Sequence, residues 1–401
     1  MKALLKDLIQ KPITGEWGVE GELVNVLRTT NFTKLGVIDF SNVVKRDIKK
    51  EKVDKKKLIK GDIIIEKSGG SPSQPVGRVV FFEAEGVYLC NNFTSVLRPE
   101  KEKVVPKYLH YILFSSHLFG LTQMFQNKTT GIINLQLSRY IDNLKIPLPP
   151  LKTQQEIVEI LDAAAALRDH TKKLLEEYDL LAQSIFLDMF GDPVLNEKGW
   201  EIKTIEDLVI NKKGSLKRGP FGGALKKEIF VDEGYLVYEQ YHALNNDFTF
   251  ERYYINDNDF NRLKGFEVKP RDIIISCSGV YLGKLAIIPS DAKKGIINQA
   301  LLKITLDETK MKNDFFVFHF TQDNFKNKYF ASNRGAGIPN FPPMKSFKKF
   351  PFINPPISLQ NEFAEKIEII EQQKALSKQE LQESEDLFQG LLQKAFKGEL
   401  V

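Results

Sequence analysis

The stretch Thr153 to Phe190, TQQEIVEILDAAAALRDHTKKLLEEYDLLAQSIFLDMF, has the pattern of one uninterrupted helix. Pro149-Pro150 precludes an earlier start, and Thr153 is a candidate N-cap with Glu156 completing a capping box. Gly191, with Pro193 just beyond, predicts the end. At about 1.5 Å per residue the helix is roughly 57 Å long, and the rest of the chain is organised around it.

Apolar or small residues recur in this helix at alternating spacings of four and three, which is the pattern of a coiled-coil seam. The seam has a polar centre and consists of Ile157, Leu161, Ala164, Arg168, Thr171, Leu175, Tyr178, Ala182, Ile185 and Met189. The same frame recurs 206 residues later, at Phe363, Ile367, Ile370, Lys374, Ser377, Leu381, Ser384, Phe388, Leu391 and Ala395. Two helices of equal length and frame are expected to form a matched pair.

The segments that precede the two helices also repeat. The corresponding pairs are Gly61-Asp62-Ile63-Ile64-Ile65 with Arg271-Asp272-Ile273-Ile274-Ile275, Gly77-Arg78 with Gly283-Lys284, Asn91 with Asn298, and Asn134 with Asn340. We therefore predict an α+β fold made by tandem duplication of a mixed α/β domain followed by a long helix. The predicted segments are residues 1–150 and 193–356 for the domains, and 151–192 and 357–401 for the helices.

The connectivity predicts how the helices pair. The second domain begins where the first helix ends and finishes where the second helix begins. Because the two ends of a compact domain often lie close together, we expect an antiparallel coiled coil with a domain at each pole. Arg168 and Lys374 interrupt the seam, either as residues that extend to solvent at its edge or as residues that fix its register.

Composition limits the class of protein. The chain has 401 residues, of which 42% are hydrophobic and 27% are charged, with a net charge of +5 and a pI near 8.8. No apolar run approaches 18 residues and the first ten residues lack a signal-peptide core, so we expect a cytoplasmic protein that does not enter a membrane. Two cysteines, Cys90 and Cys277, fit neither a disulfide framework nor a metal site.

Loops rich in glycine, hydroxyl and basic residues occur in both halves, and such loops suit a polyanion because backbone and side-chain donors can approach it closely. The predicted polyanion-binding residues, which are the DNA-binding candidates if the polyanion is DNA, are Lys67, Ser68, Ser71, Arg78, Lys128, Thr129 and Thr130 in the first half, and Lys217, Arg218, Tyr241, His242, Ser276, Ser278, Lys284 and Arg334 in the second. The alternative is that these are ordinary polar turns.

Candidate catalytic motifs are incomplete. Asp62 with Glu66-Lys67 could form a nuclease site, but the repeat of this motif at Asp272 has lost the acid and the lysine, so both aspartates are predicted to cap turns instead. Asn354-Pro355-Pro356 resembles the core of adenine-N6 methyltransferases, but Ile357 stands where an aromatic residue is needed. No histidine has neighbours at metal-ligand spacing, so neither a metal nor a cofactor is predicted in this chain.

The order of domain, helix, domain and helix resembles the DNA-specificity (S) subunit of type I restriction-modification systems. The residues that carry the resemblance are Ile146-Pro147-Leu148-Pro149-Pro150-Leu151 with Gln154-Gln155-Glu156-Ile157, Pro355-Pro356 with Gln360-Asn361-Glu362, and Gly219-Pro220-Phe221-Gly222. The first domain departs from the pattern, because Gly15-Glu16-Trp17-Gly18 is only a distant counterpart of the last of these motifs.

The resemblance implies two target-recognition domains, held apart by the helices, that bind double-stranded DNA. It also implies two docked methyltransferase (M) subunits and a restriction/translocase (R) subunit, with S-adenosylmethionine, ATP and Mg belonging to those partners. A widened apolar stripe on the helices is predicted to bind the partner, through Leu181, Phe186, Phe190, Leu387, Leu392 and Phe396. The alternative is that these residues pack against the adjoining domain.

Two other functions compete with this one: a self-contained DNA methyltransferase or nuclease, and a structural coiled-coil protein with protein-binding end domains. If the S-subunit interpretation holds, the target is split into two half-sites. The helix length predicts half-site centres one DNA turn apart, roughly 34–36 Å, with an unread spacer of about five to eight base pairs.

Overall fold

The computed structural model describes residues 2–129, 132–221, 223–279, 281–330 and 340–400. The chain divides into two compact units, and each contains a globular domain with half of each long helix. Unit 1 is Met1–Lys173 with Lys378–Val401, and unit 2 is Leu174–Ser377. This division passes through both long helices, whereas the sequence predicted each helix as a segment separate from the domains. The predicted segment boundaries remain untested.

The strands of unit 1 are β1 (Lys2–Leu4), β2 (Ile13–Thr14), β3 (Val19–Leu27), β4 (Val44–Asp47), β5 (Ile63–Glu66), β6 (Ser68–Gly70), β7 (Val79–Phe81), β8 (Tyr88–Cys90), β9 (Thr94–Leu97), β10 (Gln126–Thr129), β11 (Ile132–Leu135) and β12 (Lys145–Pro147). Its helices are α1 (Lys50–Lys56), α2 (Pro106–Leu118), α3 (Leu137–Asn143) and the long α4 (Leu151–Phe190), with short 3₁₀ turns at Leu5–Asp7, Thr29–Asn31 and Leu121–Phe125.

The strands of unit 2 are β13 (Ile202–Thr204), β14 (Leu216–Arg218), β15 (Phe230–Val231), β16 (Tyr235–Tyr238), β17 (Tyr254–Ile255), β18 (Glu267–Val268), β19 (Ile273–Ser276), β20 (Leu285–Ile287), β21 (Gly295–Ile297), β22 (Leu301–Ile304) and β23 (Pro351–Ile353). Its helices are α5 (Ile205–Leu208), α6 (Gln240–Asn245), α7 (Asp257–Arg262), α8 (Asn313–Thr321), α9 (Asp323–Phe330), α10 (Met344–Phe347) and the long α11 (Ile357–Lys397), with 3₁₀ turns at Lys227–Ile229 and Lys264–Phe266.

The sheet topology repeats between the units. An antiparallel sheet has the order β2-β9-β5-β7 in unit 1 and β14-β22-β19-β20 in unit 2. A second sheet contains a parallel pair, β3 with β8 in unit 1 and β16 with β21 in unit 2. Each domain is closed by a strand pair at its ends, β1 with β12 and β13 with β23. The predicted tandem duplication is confirmed.

The isoleucine run in the middle of each antiparallel sheet explains where the cores form. Ile63–Ile65 and Ile273–Ile275 are completely buried. Alternate side chains of a strand point to opposite faces, and here the central isoleucine packs in one core while its two neighbours pack in another. A strand that is buried on both faces reads as a continuous apolar run, and it fixes the centre of each domain.

Helix α4 begins two residues earlier than the sequence predicted. Its first residue is Leu151, and the Gln154 N–H donates to the Pro150 carbonyl at 3.0 Å. Thr153 therefore lies in the first turn, and its predicted role as N-cap is wrong. The predicted end is confirmed, because α4 finishes at Phe190 and Gly191 follows in the left-handed region with φ of 75°.

The seam of the two helices is confirmed at every predicted position, each of which is buried or half-buried. In unit 1 the first half of α4 packs with the end of α11, and in unit 2 the second half of α4 packs with the start of α11. The pairing is therefore antiparallel. Arg168 is only 5% exposed and lies 4.7 Å from the ring centre of Phe388. Lys374 forms ion pairs at 2.7 Å with Asp179 and Glu371.

Candidate nucleic-acid interface

Three chain segments leave their strands side by side at one edge of unit 1. Gly15 follows β2, Lys67 follows β5 and Asn91 follows β8, and all three contact the start of β9. The Gly15 N–H donates to the Thr94 carbonyl at 3.3 Å, and the Lys67 N–H donates to the Phe93 carbonyl at 2.9 Å. We call this edge, defined by Gly15, Lys67 and Asn91, the strand-exit site of unit 1.

Unit 2 has a strand-exit site with the same hydrogen bonds, defined by Gly219, Cys277 and Asn298. The Gly219 N–H donates to the Leu301 carbonyl at 2.9 Å, and the Cys277 N–H donates to the Ala300 carbonyl at 2.8 Å. The matching bonds confirm that Asn91 and Asn298 are repeats of one another. They also pair Gly15 with Gly219, a match that the sequence left distant.

Both glycines are required by close packing of backbone on backbone. A Cβ atom added at Gly15 would lie 1.9 Å from the Asn91 carbonyl oxygen, and one added at Gly219 would lie 1.7 Å from the Asn298 carbonyl oxygen. Contacts this short are not tolerated. Only glycine therefore allows the segment after β2, or after β14 in unit 2, to approach the backbone of Asn91 or Asn298. The backbone of the strand-exit site is therefore the same in both units, whereas its side chains differ.

A further pair of contacts closes each strand-exit site. Asn134 on β11 pairs with Ser68, and Asn340 pairs with Ser278 in an isolated bridge. The Ser68 hydroxyl donates to the Asn134 side-chain oxygen at 2.5 Å. In unit 2 the Gln240 amide donates to the Ser276 hydroxyl at 2.9 Å and to the Ser278 carbonyl at 2.8 Å. Sequence reasoning missed Gln240, since no repeat or motif marks it.

Arg78 is occupied by structural contacts. Its guanidinium forms two hydrogen bonds of 2.9 Å with the Glu66 carboxylate and donates to the carbonyls of Thr29 and Phe32. These bonds join strand exits within unit 1 and leave the guanidinium without a free edge for a base. Ser71 is similarly engaged in a tight turn, accepting from the Gln74 N–H at 3.2 Å. Ser71 therefore belongs to an ordinary polar turn, and Arg78 forms a structural ion pair with Glu66.

Two predicted residues of unit 2 are buried, and a third lies beside an aromatic ring. His242 is fully buried, its Nδ1 accepts from the Glu239 N–H at 3.0 Å, and its Nε2 donates to the Phe250 carbonyl at 3.0 Å. Ser276 is also fully buried. The Lys217 ammonium lies 4.8 Å from the ring centre of Phe266. The prediction is corrected for His242 and Ser276, because buried and bonded side chains cannot reach DNA in this conformation.

Other predicted residues are accessible. Tyr241 is exposed and its ring centre lies 4.1 Å from that of Phe250. Lys284 is exposed and Ser278 is half-buried. Thr130 and Arg334 lie outside the described residues, as do the side chains of Lys128 and Thr129, whose backbone belongs to β10.

The predicted partner-binding stripe divides into buried and exposed residues. Phe186 and Phe190 are fully buried in the core of unit 2, and Leu392 is fully buried in the core of unit 1. Phe396 is half-buried beside Phe119, with ring centres 6.5 Å apart. These four residues stabilise the units, so the prediction that they bind a partner is corrected.

Leu181 and Leu387 remain exposed, at 47% and 50%. They occupy the same position in the two repeats, 206 residues apart. One equivalent leucine therefore remains accessible in each unit.

Gln154 and Gln360 join each long helix to its domain. Each side chain is buried, donates to the carbonyl of Pro149 or Pro355 at 2.8 Å, and accepts from the backbone N–H of Val105 or Lys312 at 2.8 or 2.9 Å. An amide is needed because it donates and accepts at once. The sequence marked both glutamines but did not show what they bind.

The two aspartates of the candidate nuclease motif are structural, as the sequence predicted. Asp62 accepts from the Ile59 N–H at 2.8 Å, and Asp272 accepts from the Lys269 N–H at 2.8 Å. Arg98 also binds Asp62 through two hydrogen bonds of 2.8 Å. In the described part of the chain, no group of three or more His, Cys, Asp or Glu side chains is placed to hold a metal ion. No helix among the described residues is long and apolar enough to cross a membrane.

The fold defines a protein with a duplicated α+β domain, a strand-exit site in each copy, and a long helix after each copy. The chain belongs to the family described as the type I restriction modification DNA specificity domain, which it matches over residues 23–177 and 197–385. As a specificity subunit it is the non-catalytic component of such a system. The resemblance noted in the sequence is confirmed.

Individual relatives agree with this assignment. The chain is 26% identical to the protein assigned as the specificity subunit of the type I restriction enzyme MjaX of Methanocaldococcus jannaschii, covering 79% of this chain and 70% of that protein. Among solved structures, a chain from a study of complex assembly and conformational transition of a type I R-M system has a TM-score of 0.60 at 15% identity, covering 100% and 98% of the two chains. The S subunit from M. genitalium has a TM-score of 0.52 at 16% identity, covering 99% and 96%. At these identities the structures support the fold.

Proposed function

We propose that each unit reads one half of a split DNA target and that the paired helices set the distance between the halves. The observation that carries the proposal is the repeated strand-exit site, which has the same backbone hydrogen bonds in both units but different side chains. A shared backbone binds the same kind of ligand twice, and different side chains distinguish two sequences. Base edges are read by side-chain donors and acceptors, while the backbone and exposed lysines contact phosphate.

The proposal includes two methyltransferase subunits, one for each repeat. The equivalent exposed leucines, Leu181 and Leu387, support a partner that binds twice, since an exposed apolar side chain on a helix is a typical contact for another helix. A restriction/translocase subunit then joins the complex. S-adenosylmethionine, ATP and Mg are bound by these partners, and the complex works in the cytoplasm.

A domain exchange tests the reading of half-sites. Residues 200–350 would be replaced by those of a relative, and methylated adenines would be mapped in host DNA with the original gene, with the exchanged gene and without either. We expect the exchange to replace one half-site and leave the other unchanged. A contiguous recognition sequence, or an exchange that alters both halves at once, would contradict the proposal.

The division of labour has its own test. The purified chain should neither methylate nor cleave DNA, because sequence reading and catalysis belong to different subunits. The measurement is transfer of labelled methyl groups from S-adenosylmethionine to DNA, by the chain alone and by the chain with its methyltransferase. Turnover by the chain alone would contradict the assignment of catalysis to the partner.

A further inference from the structure

Each strand-exit site holds one partly buried cation that forms no ion pair with any described residue. In unit 1 this cation is Lys67, which follows β5. In unit 2 it is Arg218, which ends β14. Both side chains are half-buried, and no hydrogen bond to a carboxylate links either of them to another described residue.

The two cations occupy positions that are not equivalent. The residue of unit 2 that corresponds to Lys67 is Cys277, because each donates its N–H to the segment that opens the middle strand. The residue of unit 1 that corresponds to Arg218 is Thr14, because each precedes the closely packed glycine. The cation therefore lies on opposite sides of equivalent strands in the two units. In unit 1 it follows β5, on one side of β9, and in unit 2 it ends β14, on the other side of β22.

The surroundings of Lys67 make its charge costly. Burial lowers the pKa of Lys67, and the groups that act on it electrostatically are the Cys90 thiol and the Lys56 ammonium. Glu16, beside Gly15, is held by Lys52 at 3.0 Å and by Lys56 at 2.9 Å. Lys67 is thus a cation that is partly removed from water and has no described carboxylate partner, which leaves its ammonium available to the acceptors of a ligand.

Arg218 lies beside an exposed aromatic ring. Its guanidinium carbon lies 5.4 Å from the ring centre of Phe221, whose side chain is 65% exposed. The Nε atom of Arg218 is buried and has no hydrogen-bond partner among the described residues. Arg218 also lies close enough to the Cys277 thiol to affect its pKa. Burial raises the pKa of Cys277 to about 12, and the positive charge of Arg218 opposes this rise. A guanidinium with an unused donor can offer that donor, within its fork, to the acceptors of a ligand.

We propose that Lys67 and Arg218 are the base-reading cations of the two units and that each recognises a guanine in its own half-site. This inference rests on the proposed function. Guanine offers two adjacent acceptors, O6 and N7, and an arginine or lysine is their commonest partner. The Arg78 guanidinium has no free edge, and Lys284 is exposed, which suits a phosphate contact. The two half-sites are then read from opposite sides of an otherwise identical strand-exit site.

The test uses the complete methyltransferase complex with Lys67→Gln or Arg218→Gln. Lys60→Gln and Lys345→Gln serve as matched controls, because both lysines are exposed, one lies in each unit, and neither is assigned a contact with DNA. Methylated adenines are mapped across host DNA for each variant. We expect Arg218→Gln to make one G·C position of the second half-site degenerate and Lys67→Gln to do the same in the first. The controls should leave both half-sites unchanged.

Binding by the purified complexes gives a second readout if a variant no longer methylates. Each base-reading variant should bind the natural target about 5- to 150-fold more weakly and should lose its preference for that target over one with A·T in place of the G·C pair. Thermal unfolding of each complex establishes that the variants are folded.

The possible outcomes distinguish a failure of this inference from a failure of the proposed function. An unchanged recognition sequence, a half-site without guanine, or a variant that keeps its preference for G·C would overturn the inference. A contiguous recognition sequence for the wild-type complex would count against the proposed function instead.

Discussion

A buried glutamine at each junction of helix and domain shows how one side chain can fix the position of a long element. Replacing Gln154 by Glu removes the donor to Pro149 and places a negative charge beside that carbonyl. We expect Gln154→Glu to lower the free energy of unfolding by about 1–3 kcal/mol, measured by urea denaturation. The neighbouring Gln155 is exposed, so Gln155→Glu should change stability by less than about 0.5 kcal/mol. Equal effects of the two changes would contradict the role of Gln154.

The two turn-capping aspartates differ in how their charge is balanced. Arg98 binds Asp62 directly. Asp272 instead accepts from the Thr305 hydroxyl and the Lys269 N–H, and the nearest cation, the Lys303 ammonium, lies 3.8 Å away. Burial accordingly raises the pKa of Asp272. An acid whose pKa is higher in the folded state binds more protons there, so it reduces stability as pH rises from its unfolded pKa through its folded pKa.

Asp272→Asn should therefore become more stable relative to the wild type as pH is raised from 4 to 7. The measurement is the free energy of unfolding of the full chain at both values. Asp62→Asn is the control, because it leaves Arg98 without its acid and should cost about 3 kcal/mol at pH 7. A gain for Asp272→Asn that is the same at both pH values would contradict this account of its burial.

At the scale of the helices, the sequence predicted what depends on local periodicity. Every seam position was correct, because a repeat of 3.5 residues is legible without knowledge of the rest of the fold. The start of α4 was displaced because the Pro150 carbonyl accepts the first hydrogen bond of the helix, from the Gln154 N–H, so Thr153 already lies in the first turn. The docking stripe was partly wrong because periodicity does not reveal which side of a wide apolar stripe faces a domain core. Phe186 and Phe190 face that core, whereas Leu181 does not.

The strand-exit sites were harder to predict for a different reason. Loops of different length separate the repeated segments, so Gly15 and Gly219 do not share the offset that relates the two helices. Only the hydrogen bonds of their neighbours pair them. The sequence therefore gave the residue types of the DNA-binding surface, but it could not separate the Lys67 and Arg218 cations from Arg78, whose charge is neutralised by Glu66.

The exposed leucines allow a prediction for partner binding by the helices. Leu181→Glu and Leu387→Glu should each remove one methyltransferase from the complex, because a charge in an apolar contact is costly to desolvate. Leu376→Glu is a matched control, since Leu376 is similarly exposed at 56% on the same pair of helices and has histidine, not leucine, at its repeat position. Light scattering measures the mass of each complex. A wild-type complex with only one methyltransferase would contradict the twofold arrangement.

At the scale of the whole molecule, the helices are proposed to act as a ruler for DNA. Helices of roughly 57–60 Å fit half-site centres one turn apart, roughly 34–36 Å, better than two turns, which would require about 70 Å. The expected spacer is about five to eight base pairs. Removing residues 172–178 and their repeats 378–384 deletes one heptad from each helix and preserves the seam frame.

This paired deletion should shorten the spacer and leave both half-sites unchanged. A heptad of helix spans about 10.5 Å, so the change is at most about three base pairs at 3.4 Å per pair. Mapping of methylated adenines measures the spacer directly. The control is a deletion of residues 172–178 alone, which mismatches the two helices and should abolish methylation through loss of pairing. A paired deletion that is folded and active but keeps the original spacer would show that the distance between half-sites is set by something other than helix length.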